Sequence, residues 1–165
     1  MAVLNGTLRV GLDDAELEAL AKAKGVAKLS RADMAACIAT GGTGATTVAA
    51  TMIAARLAGI HVFATGGIGG VHKGAELTFD ISADLLALAQ TPAPVVAAGA
   101  KAILDIPKPL EVLELPVFPV IAYAHDVTPA SCSRDVAFPA PVSMDPQDPM
   151  ARVNLPPPHY GIPAH

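Results

Sequence analysis

Residues Ile60–Ala64 form a short apolar run that passes through Thr65 directly into the glycine loop Gly66-Gly67-Ile68-Gly69-Gly70, and the chain then meets Asp80, Ser82 and Asp84 ahead of a second apolar stretch. A strand that feeds a glycine loop and then a helix is the signature of an α/β fold. In such folds ligands sit beyond the carboxyl ends of the strands, where this loop and its two carboxylates are expected to lie. The segment His61–Asp84 is therefore the first place to look for a binding site.

The rest of the chain repeats the alternation. Asp13–Lys24 places Leu17, Leu20, Ala21 and Lys24 on one helical stripe, with acids early and lysines late as the helix dipole prefers, and Gly25 stops it. Val26–Leu29 reads as a short strand, Ser30 caps a helix over Arg31–Ala39, Gly41–Gly44 breaks the chain, and a further helix spans Thr46–Leu57. Asp80 or Ser82 caps a helix running through Ala89. Val95–Ala98 is a buried strand leading to Gly99-Ala100-Lys101 and a short helix, and Leu110–Leu115 and Val117–Tyr123 read as a helical turn and a last strand. Near-continuous apolar strands of this kind predict a mostly parallel sheet covered on both faces, a three-layer α/β/α arrangement. With 165 residues, 52% hydrophobic and only 16% charged, the chain has enough apolar material for one such core. The division expected is a folded part over 1–126 and a proline-rich, poorly ordered tail over 127–165, where nine of the fifteen prolines fall.

Other classes are set aside on simple grounds. A net charge of −4 with scattered Lys and Arg offers no basic field for nucleic acid. Cys37 and Cys132 are far apart and belong to no CxxC pair, so neither a zinc site nor a disulfide framework is legible. The first residues lack a basic region followed by an apolar one, and no run approaches membrane-spanning length, so a cytoplasmic protein acting on small molecules is expected.

The glycine loop invites comparison with nucleotide cradles, in which amide N–H groups approach an anion without Cβ interference. The fingerprints fail. Gly67 and Gly69 put His72 where the third glycine of GxGxxG belongs, and Gly42 with Gly44 puts Thr47 there. Gly70–Gly74 continues into Ala75 and Glu76 rather than the Lys and hydroxyl of a P-loop. An anion contact of another kind stays open, and His72 either orients a polar ligand or is simply an exposed loop histidine. Asp80, Ser82 and Asp84 either cap orphan helix amides or, for a lone carboxylate at a strand end, hold a hard divalent ion with water. Lys101 follows VVAAGA among small and apolar residues. It either snorkels or loses its proton and attacks a carbonyl; Lys28 occupies an analogous strand end, and two such lysines can share the work, one staying charged for a phosphate and the other attacking.

The ordered motifs VAKLSRADM from Val26, GATTVAATM from Gly44, VFATGGIGGVHKGAELTFDISADL from Val62 and TPAPVVAAGAKAILDIPK from Thr91 resemble the pseudouridine-5′-phosphate glycosidases, also called the indigoidine-synthase-A-like family. Similarity runs from about Val3 to Tyr123, and SRDVAFPAPVSMDP from Ser133 echoes the family's SRxSGFxxPxRxD pattern. The resemblance implies an α/β/α enzyme that reversibly cleaves the C–C bond of pseudouridine 5′-phosphate to uracil and ribose 5-phosphate. It implies Lys101 as the Schiff-base nucleophile and Asp80 as the ligand of one largely water-coordinated Mn²⁺. It further implies substrate contacts from Lys28, Val48, Thr65, His72, Ser82, Ala83 and Asp84, and a homotrimer.

The family carries a general-acid glutamate upstream of the segment matching Met1, and a further half beyond this chain. The expectation is therefore a family domain truncated at both ends, with catalysis by this chain alone in question. The other reading kept open is a non-catalytic protein of that descent that binds a phosphosugar or another protein.

Overall fold

Asn5 and Gly6 both take positive φ, 48° and 74°. The two-residue turn they make folds β1 (Ala2–Leu4) back against β2 (Thr7–Arg9), with Leu4 opposite Thr7. An Asn-Gly pair is the preferred sequence for such a turn, because both positions need the left-handed region. The computed structural model describes residues 1–71, 75–78, 80–91, 93–101, 120–124, 127–131, 133–139 and 142–145.

The chain continues with α1 (Asp14–Lys22), β3 (Ala27–Leu29), α2 (Arg31–Ala39), β4 (Gly44–Thr46), α3 (Val48–Leu57), β5 (Phe63–Thr65), α4 (Ala75–Thr78), α5 (Ala83–Gln90), β6 (Val95–Ala97) and β7 (Ala100–Lys101). It ends, among the described residues, with β8 (Ile121–Tyr123), β9 (Val127–Ser131), β10 (Ser133–Pro139) and β11 (Val142–Met144). The architecture is α/β, as expected. The pairs β3–β4, β5–β6, β7–β9 and β8–β11 are parallel, and antiparallel pairing occurs at β1–β2, β1–β4 and β9–β10. The first sheet has the order β2-β1-β4-β3, which puts the N-terminal strand inside it, with Ala2 and Val3 fully buried.

Several helices start where the sequence placed them, for local reasons. The Asp13 side chain accepts from Glu16 N–H while Glu16 reaches back to Asp13 N–H, a reciprocal cap. Ser82 caps α5 by accepting from Asp84 N–H. The apolar stripe read in α1 does not seat it, however, because α1 buries none of its residues and Leu17 is half exposed. Two leucines offer too little apolar area, and the cap and the Arg9–Glu16 ion pair at 2.7 Å hold the helix instead.

Two further differences concern strands. β4 forms where only a glycine break was read, because Gly44-Ala45-Thr46 lies alongside Ala27-Lys28-Leu29 in register. Val127–Ser131, Ser133–Pro139 and Val142–Met144, within the stretch expected as a tail, are strands. The helical readings between 102 and 119, Cys132 and the last twenty residues lie outside the described residues.

Helix α3 organises the core. Its Ala49 and Met52 pack with Val71, Leu85 and Leu88 on one side, while Ala50 packs with Val3, Leu29, Met34 and Cys37 on the other. Small alanines on both faces let α2 and α5 approach the same helix closely, so its N-terminus is held from two directions. Among the described residues no helix is long and apolar enough to cross a membrane.

Candidate functional site

Strands β3 and β4 run parallel, so their carboxyl ends and the helices that follow them share one edge. Thr47 N–H donates to Leu29 C=O at 2.9 Å across that edge, and the Thr47 hydroxyl caps α3. A cavity of about 740 Å³ opens there. One wall carries Lys28, Ser30, Thr46, Thr47 and Val48, and the other carries Gly69, Asp80, Ser82, Ala83 and Asp84. Lys28 is exposed at the end of β3, and Val48 is half-buried at the start of α3.

The second wall is the glycine loop folded onto the segment that enters α5. Ser82 N–H donates to Gly70 C=O at 2.9 Å, and Val71 and Ile81 form an antiparallel bridge. Asp84 is 7% exposed, and its two carboxylate oxygens accept from different elements: Oδ1 from Ala49 N–H at 2.8 Å and Oδ2 from Gly69 N–H at 2.9 Å. Hydrogen bonds to a charged acceptor contribute about 1.5–3 kcal/mol each, and the α3 dipole favours a carboxylate at this end, which together offset the burial of the charge. Ile68 N–H donates to Gly99 C=O at 3.3 Å, and Gly67 N–H faces the Thr65 hydroxyl at 3.5 Å. The loop amides from 67 to 69 are thus turned to acceptors within the protein. The loop is pinned by these amides, with Thr65, Gly99 and Asp84 as their acceptors.

Of the residues implied by the resemblance, the structure brings Lys28, Val48, Asp80, Ser82, Ala83 and Asp84 to one cavity. Thr65 ends β5, and among the described residues it is not part of the lining; its hydroxyl donates to Gly67 C=O at 3.3 Å. Lys101 ends β7, whose backbone pairs with β9 two residues beyond Gly99. His72 lies outside the described residues. Sequence reasoning took Ser30 only as a cap and placed Thr46 inside a helix, although both line the cavity with Thr47. The Thr-Thr pair before an alanine-rich helix was the available signal for a cap at this edge.

Asp80 is exposed on the cavity wall, whereas both oxygens of Asp84 are engaged by amides. Among the described residues no three His, Cys, Asp or Glu side chains gather as a metal cage. An exposed carboxylate oxygen donor of this kind is one that a hard divalent ion otherwise held by water accepts.

The family model described as indigoidine synthase A like protein matches residues 1–158. The chain belongs to this family. Its indigoidine synthase A-like relatives include proteins named pseudouridine-5′-phosphate glycosidase. The one from Jannaschia sp. (strain CCS1) is 64% identical over 163 residues, covering 99% of this chain and 54% of the relative. The one from Roseobacter denitrificans is 69% identical over 145 residues, covering 88% and 47%. Among solved structures, the prealnumycin C-glycosynthase AlnA in complex with ribulose 5-phosphate is similar with a TM-score of 0.82 and 45% identity, covering 87% of this chain and 47% of that one. An indigoidine synthase A-like protein from Thermotoga maritima is similar with a TM-score of 0.80 and 33% identity, at the same coverage. The chain spans about half the length of the curated relatives it matches.

Proposed function

We propose that this chain carries the phosphopentose part of a C–C glycosidase site and that the reaction is the reversible cleavage of pseudouridine 5′-phosphate to uracil and ribose 5-phosphate. The observation that supports it most is the single cavity lined by Lys28, Val48, Asp80, Ser82 and Ala83 at the carboxyl edge of β3–β4. The match of a ribulose 5-phosphate complex at 45% identity agrees with a phosphorylated five-carbon sugar in that cavity.

In this reading the Lys28 ammonium, exposed at the cavity wall, binds the phosphate as a compact cation. The Lys101 amine condenses with the C1 aldehyde of the ring-opened sugar and releases water, leaving an iminium. In synthesis a uracil carbon attacks the iminium carbon and gives up its proton, and closure of the sugar ring by its own hydroxyl onto C1 expels the lysine amine. In cleavage the iminium takes up the charge left when the C–C bond breaks, a need that arises because such a bond has no leaving oxygen to protonate. A divalent ion on Asp80 supplies Lewis-acid stabilisation of oxygen charge when it is bound. Ser82, Thr47 and Ser30 line the cavity on both walls around the sugar.

Borohydride reduction tests this directly. Incubation with ribose 5-phosphate and reductant is expected to add one pentose phosphate mass at Lys101, and Lys101→Ala to abolish the adduct. Uracil release from pseudouridine 5′-phosphate with Mn²⁺ present then reads the full reaction. Saturable binding of ribose 5-phosphate with no adduct in the wild-type protein would instead identify a phosphosugar-binding protein and overturn the enzymatic reading.

A further inference from the structure

We infer that Asp84 is a positioning residue, whose carboxylate sets the glycine loop between the first turn of α3 and the strand that carries Lys101 rather than holding the sugar phosphate. The inference rests on the phosphopentose reading for what it positions, and on geometry for how. Asp84 Oδ1 accepts from Ala49 N–H and Oδ2 from Gly69 N–H, so each oxygen already faces a donor, at 2.8 and 2.9 Å. Next along the loop, Ile68 N–H holds Gly99 C=O at 3.3 Å, two residues before Lys101. A continuous hydrogen-bonded route thus joins Ala49, Asp84, the loop and the Lys101 strand.

The chemistry of the group is specific to this task. A deprotonated carboxylate is acceptor-only and offers two oxygens, so it can take N–H donors from two sides. An asparagine in its place puts an N–H against one of those donors, and a glutamate is a methylene too long for the gap. The Asp84 N–H meanwhile donates to Ser82 Oγ at 3.2 Å, which fixes the backbone of the same turn.

The role separates from a ligand contact by what moves when it is lost. A residue that touches the sugar sets the concentration needed for half-saturation, whereas one that positions the loop before Lys101 sets the rate at saturation. With ribose 5-phosphate and borohydride, Asp84→Asn is expected to lower the saturating trapping rate at Lys101 about tenfold, a misplacement-sized effect, with half-saturation moved less than about threefold. In ligand-free protein, exchange of the Ile68 and Gly69 amides is expected to quicken at least about tenfold, while the Val3 and Leu29 amides keep their protection.

A rise in half-saturation with unchanged loop exchange overturns the inference, because it makes Asp84 a direct ligand. If wild-type protein gives no adduct, the phosphopentose reading fails and the exchange result alone still decides the role of Asp84. If Asp84→Asn does not fold, the wild-type amides decide it. Both Ala49 and Gly69 protons are expected downfield and protected, and finding either exchanging like a free amide refutes the tie.

Discussion

A Cβ on Gly69 would stand 2.7 Å from the Cβ of Ser82 and 2.8 Å from Oδ2 of Asp84. The two parts of the second wall, the glycine loop and the segment that enters α5, therefore meet at a backbone position that has room for hydrogen only. Neither neighbour can retreat cheaply, since Ser82 caps α5 and Asp84 is tied to α3.

Gly69→Ala is accordingly expected to lose about 1–3 kcal/mol of stability, the usual cost of overpacking, in urea unfolding. Adding Ser82→Gly removes the nearest obstruction, so the double variant is expected to regain part of the loss. Strict additivity of the two single effects would show that the contact does not govern the site.

Gly44 obeys the same rule in the sheet. A Cβ there would lie 2.5–2.8 Å from three carbons of Leu29, whose side chain is 1% exposed. Gly44→Ala is expected to cost about 1–3 kcal/mol, read by urea unfolding, with no change in the secondary-structure content of the folded form.

These two glycines show what was legible in the sequence and what was not. Runs such as Arg31–Ala39 and Val48–Leu57 announce helices locally, because caps and apolar content act within a few residues. The Asn5-Gly6 hairpin is equally local, because both residues of its turn take positive φ. β4 was not legible, since Gly44 and Ala45 disfavour strands, Thr46 alone favours one, and the segment is a strand through its pairing with β1 and β3. The cavity was readable as two separate pieces, a strand end at Lys28 and a helix entry at Asp80–Asp84. That Asp84 reaches Ala49, 35 residues away, is a tertiary fact with no local signature.

Lys28 is the cation assigned to the phosphate, and its contribution is measurable as selectivity. Wild-type protein is expected to prefer ribose 5-phosphate over ribose, and Lys28→Met to cut that preference about tenfold, the equivalent of one charge-assisted hydrogen bond. Calorimetric titration with both sugars checks it, and an unchanged ratio removes Lys28 from the phosphate.

Asp33 lies at the start of α2, where the Ser30 hydroxyl donates to its carboxylate at 2.5 Å and the Ser30 N–H at 3.1 Å. These bonds, the hydroxyl first, hold the Asp33 pKa below its ordinary value in the folded protein. The folded state thus favours the ionised form. The stabilisation is present above the ordinary carboxylate value near about 4 and is lost as pH falls through the lower folded value. Urea midpoints are expected to fall across that acidic window in wild type, and to fall less steeply in Asp33→Asn.

Asp80 is the residue on which the metal proposal stands. It is exposed on the cavity wall, and Asp84, the other carboxylate on that wall, has both oxygens engaged by amides. A single carboxylate with water gives modest affinity and fast exchange, so Mn²⁺ is expected to bind weakly, to leave on chelation, and to leave the fold intact. Electron paramagnetic resonance of free Mn²⁺ titrated with protein reads the bound fraction without relying on turnover. Asp80→Asn is expected to abolish that fraction while the urea midpoint stays within the small range of a surface change, about 0.5 kcal/mol. Asp84→Asn is expected to retain Mn²⁺ binding, because its carboxylate faces amides rather than the ion. Mn²⁺ binding that survives Asp80→Asn would place the ion elsewhere, and binding lost only in Asp84→Asn would make that buried carboxylate the ligand.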